Sequence, residues 1–193
     1  MTVTARIAVV VVLQTLALFT MIAMKQWTLN TGTLVVLETQ PIDPRSLFRG
    51  DYVRLNYKIS ELKPQALAGD NEFRRHDLLY LVLEPGDPYW QPVSVHRRSP
   101  SLGGDQVAIR GEVQYINHRG RFDGAANEIE PIQVMQVRYG IESYFVPEGE
   151  GRVLERPQPG EVVSLRIAVD KAGNAGIKAV LVNGEARYTE RLF

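Results

Sequence analysis

The side chains best suited to bind a metal or move a proton near neutral pH are His76, His96 and His118, and their spacing argues against both roles. Zinc sites draw ligands from short repeats, and these three are scattered. The sequence holds 0 Cys, which removes thiolate ligands and disulfide frameworks together, so no metal or other cofactor is expected. Glu128 and Glu130 stand two apart at a strand start, a spacing more typical of exposed carboxylates than of an acid/base pair. Gly103-Gly104 lacks the lysine and hydroxyl residue that complete a phosphate loop. Arg74-Arg75 and Arg97-Arg98 read as solvated loop charges that could approach lipid headgroups.

The segment richest in binding chemistry is Gly50-Asp51-Tyr52-Val53-Arg54-Leu55-Asn56-Tyr57. Gly50 permits a turn after a proline-rich connection, and Asp51 can brace it by accepting a backbone hydrogen bond. Beyond the turn, period two places Asp51, Val53, Leu55 and Tyr57 on one face and Tyr52, Arg54 and Asn56 on the other. Leu55 and Tyr57 read as core. Tyr52, flanked by Arg49 and Arg54, offers the aromatic and guanidinium groups that anchor binding surfaces, and scaffolding alone is the competing reading.

The elements that must position these residues are mostly strands. Alternation marks Thr33 to Thr39 and Asp51 to Lys58, with Pro41 and Pro44 preventing a helix between them. Asp77 to Leu83 is a short apolar run suited to a strand buried on both faces. Val93 to His96 and Val107 to Ile116 follow, the latter with Val107, Ile109, Gly111, Val113 and Tyr115 on one face. Asn117 to Glu128 is polar and glycine-rich, an exposed loop between two β-rich halves. Further strands are expected at Ile132 to Arg138, Glu142 to Val146, Val162 to Val169, Ile177 to Val182 and Glu185 to Thr189. Asn183-Gly184 supplies the positive φ values of a type I′ hairpin turn. Short helices are expected around Ser60 to Leu67 and Glu150 to Arg156.

Ahead of all this, Ile7 to Met24 is a run of roughly 18 residues without a charge, near the shortest helix that spans a bilayer. A cleaved signal sequence is the alternative, but cutting after Ala23 would leave Met21 where a small residue is required. The reading is therefore a short cytoplasmic tail (1–6), a transmembrane anchor in the lipid bilayer (7–24) and an extracytoplasmic, predominantly β region (25–193). That region forms one domain, or two halves meeting near 117–128. The formal net charge of +0 lacks the basic excess that phosphate backbones demand, so nucleic acid is not an expected partner.

The string 50–57 fits Gly-Asp-Tyr-x-x-Leu-x-Tyr without exception, and the chain resembles the GDYXXLXY family of bacterial membrane-anchored proteins. A second block, Arg138-Tyr139-Gly140-Ile141-Glu142-Ser143-Tyr144-Phe145-Val146-Pro147-Glu148-Gly149-Glu150-Gly151, is similar to the family's other recurrent segment. By period two, Ile141, Ser143 and Phe145 should share a face in a strand stopped by Pro147. The resemblance implies a single-pass protein of the inner membrane, often encoded beside multi-pass membrane proteins, and carries no catalytic role. The motif positions it marks are Gly50, Asp51, Tyr52, Leu55 and Tyr57 with Tyr139, Gly140, Glu142 and Glu148. Joined to Arg49 and Arg54 beside Tyr52, the candidate contact surface is Arg49, Gly50, Asp51, Tyr52, Arg54, Tyr139, Gly140, Glu142 and Glu148, with Glu142 and Glu148 as polar site residues.

Leu47-Phe48-Arg49-Gly50-Asp51 is also similar to an element of type I signal peptidases, whose nucleophilic serine would fall at Ile42. Isoleucine cannot attack a carbonyl. A displaced Ser46 with Lys58 as base keeps a hydrolase as the alternative to a binding or assembly module.

Overall fold

A computed structural model describes residues 2–40, 52–119, 132–145 and 160–190. Helix α1 (Val3–Thr31) is longer than the apolar run inside it and has a window of mean hydropathy 2.5, long and apolar enough to cross a membrane. Thirteen strands follow among the described residues. They are β1 (Thr33–Gln40), β2 (Tyr52–Arg54), β3 (Asn56–Tyr57), β4 (Glu61–Leu62), β5 (Ala68–Gly69), β6 (Leu78–Glu84) and β7 (Gln91–His96). The rest are β8 (Val107–Arg119), β9 (Ile132–Arg138), β10 (Ser143–Phe145), β11 (Val163–Val169), β12 (Ala175–Val182) and β13 (Glu185–Thr189). The architecture is mainly β with one long N-terminal helix, as the alternation implies.

One sheet has the order β13-β12-β11-β1-β3, a second β4-β9-β8-β6-β7-β5, and β10 and β2 form a separate ribbon. Among the described residues all pairings are antiparallel except β5 with β7. Inward residues of both large sheets join in one apolar cluster: Val35, Leu37, Leu165 and Ile167 from the first, Leu79, Leu81, Ile109 and Met135 from the second. Burying each such side chain contributes about 1.5–3 kcal/mol. The Trp90 N–H also donates to the Val36 carbonyl at 3.0 Å, and the Arg110 N–H to Gly173 at 2.8 Å, tying the sheets together. Asn183 (φ 52) and Gly184 (φ 84) form the expected hairpin turn, with Val182 opposite Glu185.

Several expectations change. In place of a helix over Ser60 to Leu67 there are single 3₁₀ turns at Lys58–Ser60 and Pro64–Ala66, separated by the β4 bridge. Pro64 holds Lys63 extended (φ -113, ψ 96), which stops a helix passing through. Tyr115 is 50% exposed rather than inward, because the β8–β9 register shifts between Val113 and Tyr115 and Ile116 takes the inward place. The loop expected from Asn117 begins later, since β8 runs to Arg119. Leu78 is 58% exposed and Tyr80 half-buried, so β6 is not covered along its whole length. The helix expected at Glu150 to Arg156 lies outside the described residues.

The helix enters the domain without a linker. Its last turns bury Thr28 and Leu29, and Gly32 follows directly, with β1 starting at Thr33. A Cβ at Gly32 would lie 2.6 Å from the Thr28 carbonyl oxygen and 2.8 Å from the Val169 nitrogen, so only glycine allows this close junction. Thr28 Oγ1 donates to Asp170 Oδ2 at 2.7 Å, Lys25 Nζ to the Ala175 carbonyl at 3.0 Å, and Lys178 Nζ to the Leu29 carbonyl at 3.2 Å. The lysine of β12 thereby satisfies a carbonyl in the helix's last turn.

Burial alone would raise the Asp170 carboxyl. Hydrogen bonds from Asn174, Thr28 and the Ala172 backbone outweigh it and hold the group below its ordinary value. A depressed carboxylate favours the docked state above the unfolded value of about 3.9, and that contribution disappears as pH falls through the lower folded value. Amide exchange at Thr28 to Gly32, corrected for intrinsic rates, should therefore lose protection below about pH 4. In Asp170→Asn the protection should be weaker at neutral pH and lack this acid step; an unchanged acid step in the variant would show that Asp170 does not clamp the helix.

Candidate functional site

The two segments singled out by sequence meet in space. Strand β2 pairs with β10 so that Tyr52 lies opposite Phe145, Val53 opposite Tyr144 and Arg54 opposite Ser143. Beyond the ribbon, the Leu55 N–H donates to the Glu142 carbonyl at 2.9 Å. The run expected as one strand from Asp51 to Lys58 thus breaks at Leu55: its first part pairs with β10, and Asn56–Tyr57 pairs with Thr39–Gln40 of β1. The motif is the crossing point between the ribbon and the first sheet.

Two tyrosines lock that crossing. Tyr57, fully buried, donates its hydroxyl to the Ile141 carbonyl at 2.6 Å, and Tyr139 donates its hydroxyl to the Ile59 carbonyl at 2.7 Å. Each block therefore supplies a phenol that satisfies a backbone carbonyl two residues beyond the other block's tyrosine. Burial pushes both phenols well above the ordinary tyrosine value, and the nearby Glu142 carboxylate adds to the effect.

Glu142 braces its own turn. Its carboxylate accepts from the Tyr139 N–H at 2.5 Å and from the Gly140 N–H at 2.9 Å, and Gly140 sits at φ 80, a left-handed conformation that suits glycine. This turn corrects the expected strand: Ile141 is 2% exposed and precedes β10, whereas Ser143 and Phe145 are exposed, Phe145 at 77%. Tyr144 between them is buried, and burial, followed by the Glu190 carboxylate it hydrogen-bonds, raises its phenol.

Of the sequence-derived site residues, Tyr139, Gly140 and Glu142 are thus gathered into one braced turn, and Tyr52 and Arg54 are placed by register opposite exposed Phe145 and Ser143. Arg49, Gly50, Asp51 and Glu148 lie outside the described residues, as does Ser46. Leu55 and Tyr57 are core, as expected. Sequence reasoning missed the hydroxyl exchange; the one local signal was a tyrosine in each block.

The remaining chemical candidates are dispersed. Lys58 pairs with Glu38 at 2.6 Å. His76 contacts Glu112 at 2.9 Å and His96 contacts Ser94 at 2.9 Å. The hydrogen bond with His76, then that from Arg138, lowers the Glu112 carboxyl at the surface. Among the described residues no group of three or more His, Asp or Glu could hold a metal ion. A shallow cleft of about 530 Å³ lies by Gln65, Phe73 and Arg97. Arg97 is occupied within it, 5.5 Å above the Phe73 ring and bonded to the Glu72 carbonyl.

An apolar helix long enough to cross a membrane, built into a β-rich domain whose two signature segments interlock, defines the class of protein. The sequence profile of the GDYXXLXY protein family matches residues 14–180, and the chain belongs to that family. No curated protein matches the chain, and no solved structure does.

Proposed function

We propose that this protein is a membrane-anchored, extracytoplasmic binding or assembly module that works with a membrane-embedded partner protein. The observation that supports this reading best is the β2–β10 ribbon, where the interlocked blocks hold Phe145, 77% exposed, opposite Tyr52 in register. Aromatic and arginine side chains dominate binding hot spots, and Arg49, Tyr52 and Arg54 bring those types to the same segment. Gly50 and Asp51 precede it in sequence. Tyr139, Gly140 and Glu142 hold the opposing turn, and Glu148 belongs to the same sequence block. The chain's anchor is Ile7 to Met24, with the short N-terminal tail in the cytoplasm and the β domain beyond the inner membrane.

A photoreactive amino acid at position 145, irradiated in native membranes, tests the contact surface. The expected product is a discrete adduct with an integral membrane protein, reduced by Tyr52→Ala at unchanged protein level. Lack of any protein adduct at 145 would remove the ribbon as the contact surface. A C-terminal alkaline phosphatase fusion tests the side of the membrane: activity with a full-length, carbonate-resistant band is expected, and a shortened soluble product would overturn the anchor.

A further inference from the structure

We infer that the partner packs a transmembrane helix against the Gln14 face of α1, beneath the overhanging β domain, and that this partner is a different protein rather than a second copy of the chain. The inference rests on the proposed membrane-embedded partner and names where it binds.

Gln14 lies inside the apolar run, about 12 Å along the helix from Arg6 and about 17 Å from Lys25 at 1.5 Å per residue. It is therefore within the hydrocarbon from either end. The hydroxyl of Thr20 is satisfied within the helix, donating to the Leu16 carbonyl at 2.8 Å. The Gln14 side chain, exposed like the rest of the span, makes no hydrogen bond among the described residues. A primary amide has two donor hydrogens and an acceptor oxygen, and lipid tails satisfy none of them. A polar side chain of a neighbouring helix does.

Helix periodicity relates this face to the domain. At about 100° per residue, Lys25 falls roughly 20° from Gln14, Thr28 about 40° to one side and Leu29 about 60° to the other. All three are held by the domain: Lys25 to Ala175, Thr28 to Asp170, and Leu29 buried with its carbonyl on Lys178. Trp27 falls about 140° away from Gln14, and it is 70% exposed. The domain is thus fixed on the side of the helix that carries Gln14. It reaches down to Lys25, the first residue beyond the apolar run.

This overhang selects the occupant. Two copies facing each other through Gln14 would each lay a domain over the other's helix, directing both domains into the same space. A helix from a protein with short loops on that side of the membrane fits under a single domain. Such a partner would touch the stripe Ile7, Val10, Gln14, Leu18 and Met21 and would meet the underside of the domain near Ala175.

The test uses the full chain in its native membrane, with a photoreactive amino acid placed singly at Val10, Met21, Val12 or Phe19. Val10 and Met21 should yield an adduct with a multi-pass membrane protein, and Val12 and Phe19, on the other face, should not. Gln14→Leu, which alters no packed residue of the domain, should lower the adduct yield about threefold to thirtyfold, the range for interhelical polar contacts in membranes. A product of two copies of this chain, equal labelling from both faces, yield unaffected by Gln14→Leu, or no adduct from any position would each overturn the inference. Adducts from position 145 without any from the stripe would sink this inference and leave the proposed function standing, whereas silence at both would remove both.

Discussion

Tyr57→Ala should lower the unfolding free energy of the detergent-solubilised chain by about 3–5 kcal/mol, the range for removing a fully buried aromatic ring. Domains of this size have only about 5–15 kcal/mol to lose. Tyr57→Phe keeps the ring and isolates the hydroxyl, leaving the Ile141 carbonyl unpaired, and should cost about 1–3 kcal/mol. Tyr139→Phe does the same to the Ile59 carbonyl. Because the two phenols brace one crossing, the double Phe variant should depart from additivity by about 0.5 kcal/mol or more. Urea unfolding followed by tryptophan fluorescence measures all four variants. If each Phe variant were as stable as the native chain, the hydroxyl exchange would contribute nothing and ring packing alone would hold the blocks together.

The same pair sets an alkaline limit. Both phenols titrate well above the ordinary value in the fold. Below the unfolded tyrosine value of about 10, both states keep the proton and the contribution is fully present. As pH rises from there towards the folded values, the unfolded chain ionises first and stability is lost, with a slope of up to two protons from this pair. The double Phe variant starts less stable and should show a shallower decline above about pH 10.

How much of this was legible in sequence depends on the range of the interaction that decides it. Strand positions in β8, β9, β11 and β13 follow from alternation along the chain, and the Asn183-Gly184 turn from two adjacent residues, so local pattern reached them. The exposure of Tyr115 did not follow, because the register shift opposite Gln136 belongs to a pair of strands and not to either one. The helix outran its apolar stretch because residues 25–31 are held by partners around 150 positions away, including Ala175 and Lys178. The candidate site was legible as two blocks but not as one structure, since the Tyr57 and Tyr139 contacts bridge 84 and 80 residues. Glu142 is the instructive case: a carboxylate noted for binding chemistry is engaged with the Tyr139 and Gly140 backbone.

Leu55→Ala and Phe145→Ala should fail in different ways, and the contrast separates architecture from contact. Leu55 is 6% exposed in the shared core, where truncation removes transfer energy and leaves a cavity, so a loss of about 2–5 kcal/mol is expected. Phe145, at 77% exposure, has little burial to lose, and its removal should shift stability by no more than about 0.5 kcal/mol. The ordering reverses for association. A chain carrying Phe145→Ala should fold and reach the membrane yet retain less partner after mild detergent extraction, by a factor corresponding to about 1–2 kcal/mol or more if Phe145 is a hot spot. Leu55→Ala should lose partner only in proportion to the fraction unfolded. Both variants should be compared at a temperature where Leu55→Ala is still mostly folded, so that capture reports the surface and not the population. Were Phe145→Ala to destabilise the fold as much as Leu55→Ala while folded molecules kept their partner, the ribbon would be scaffolding, and the contact would have to lie elsewhere, first along the Gln14 face of the helix.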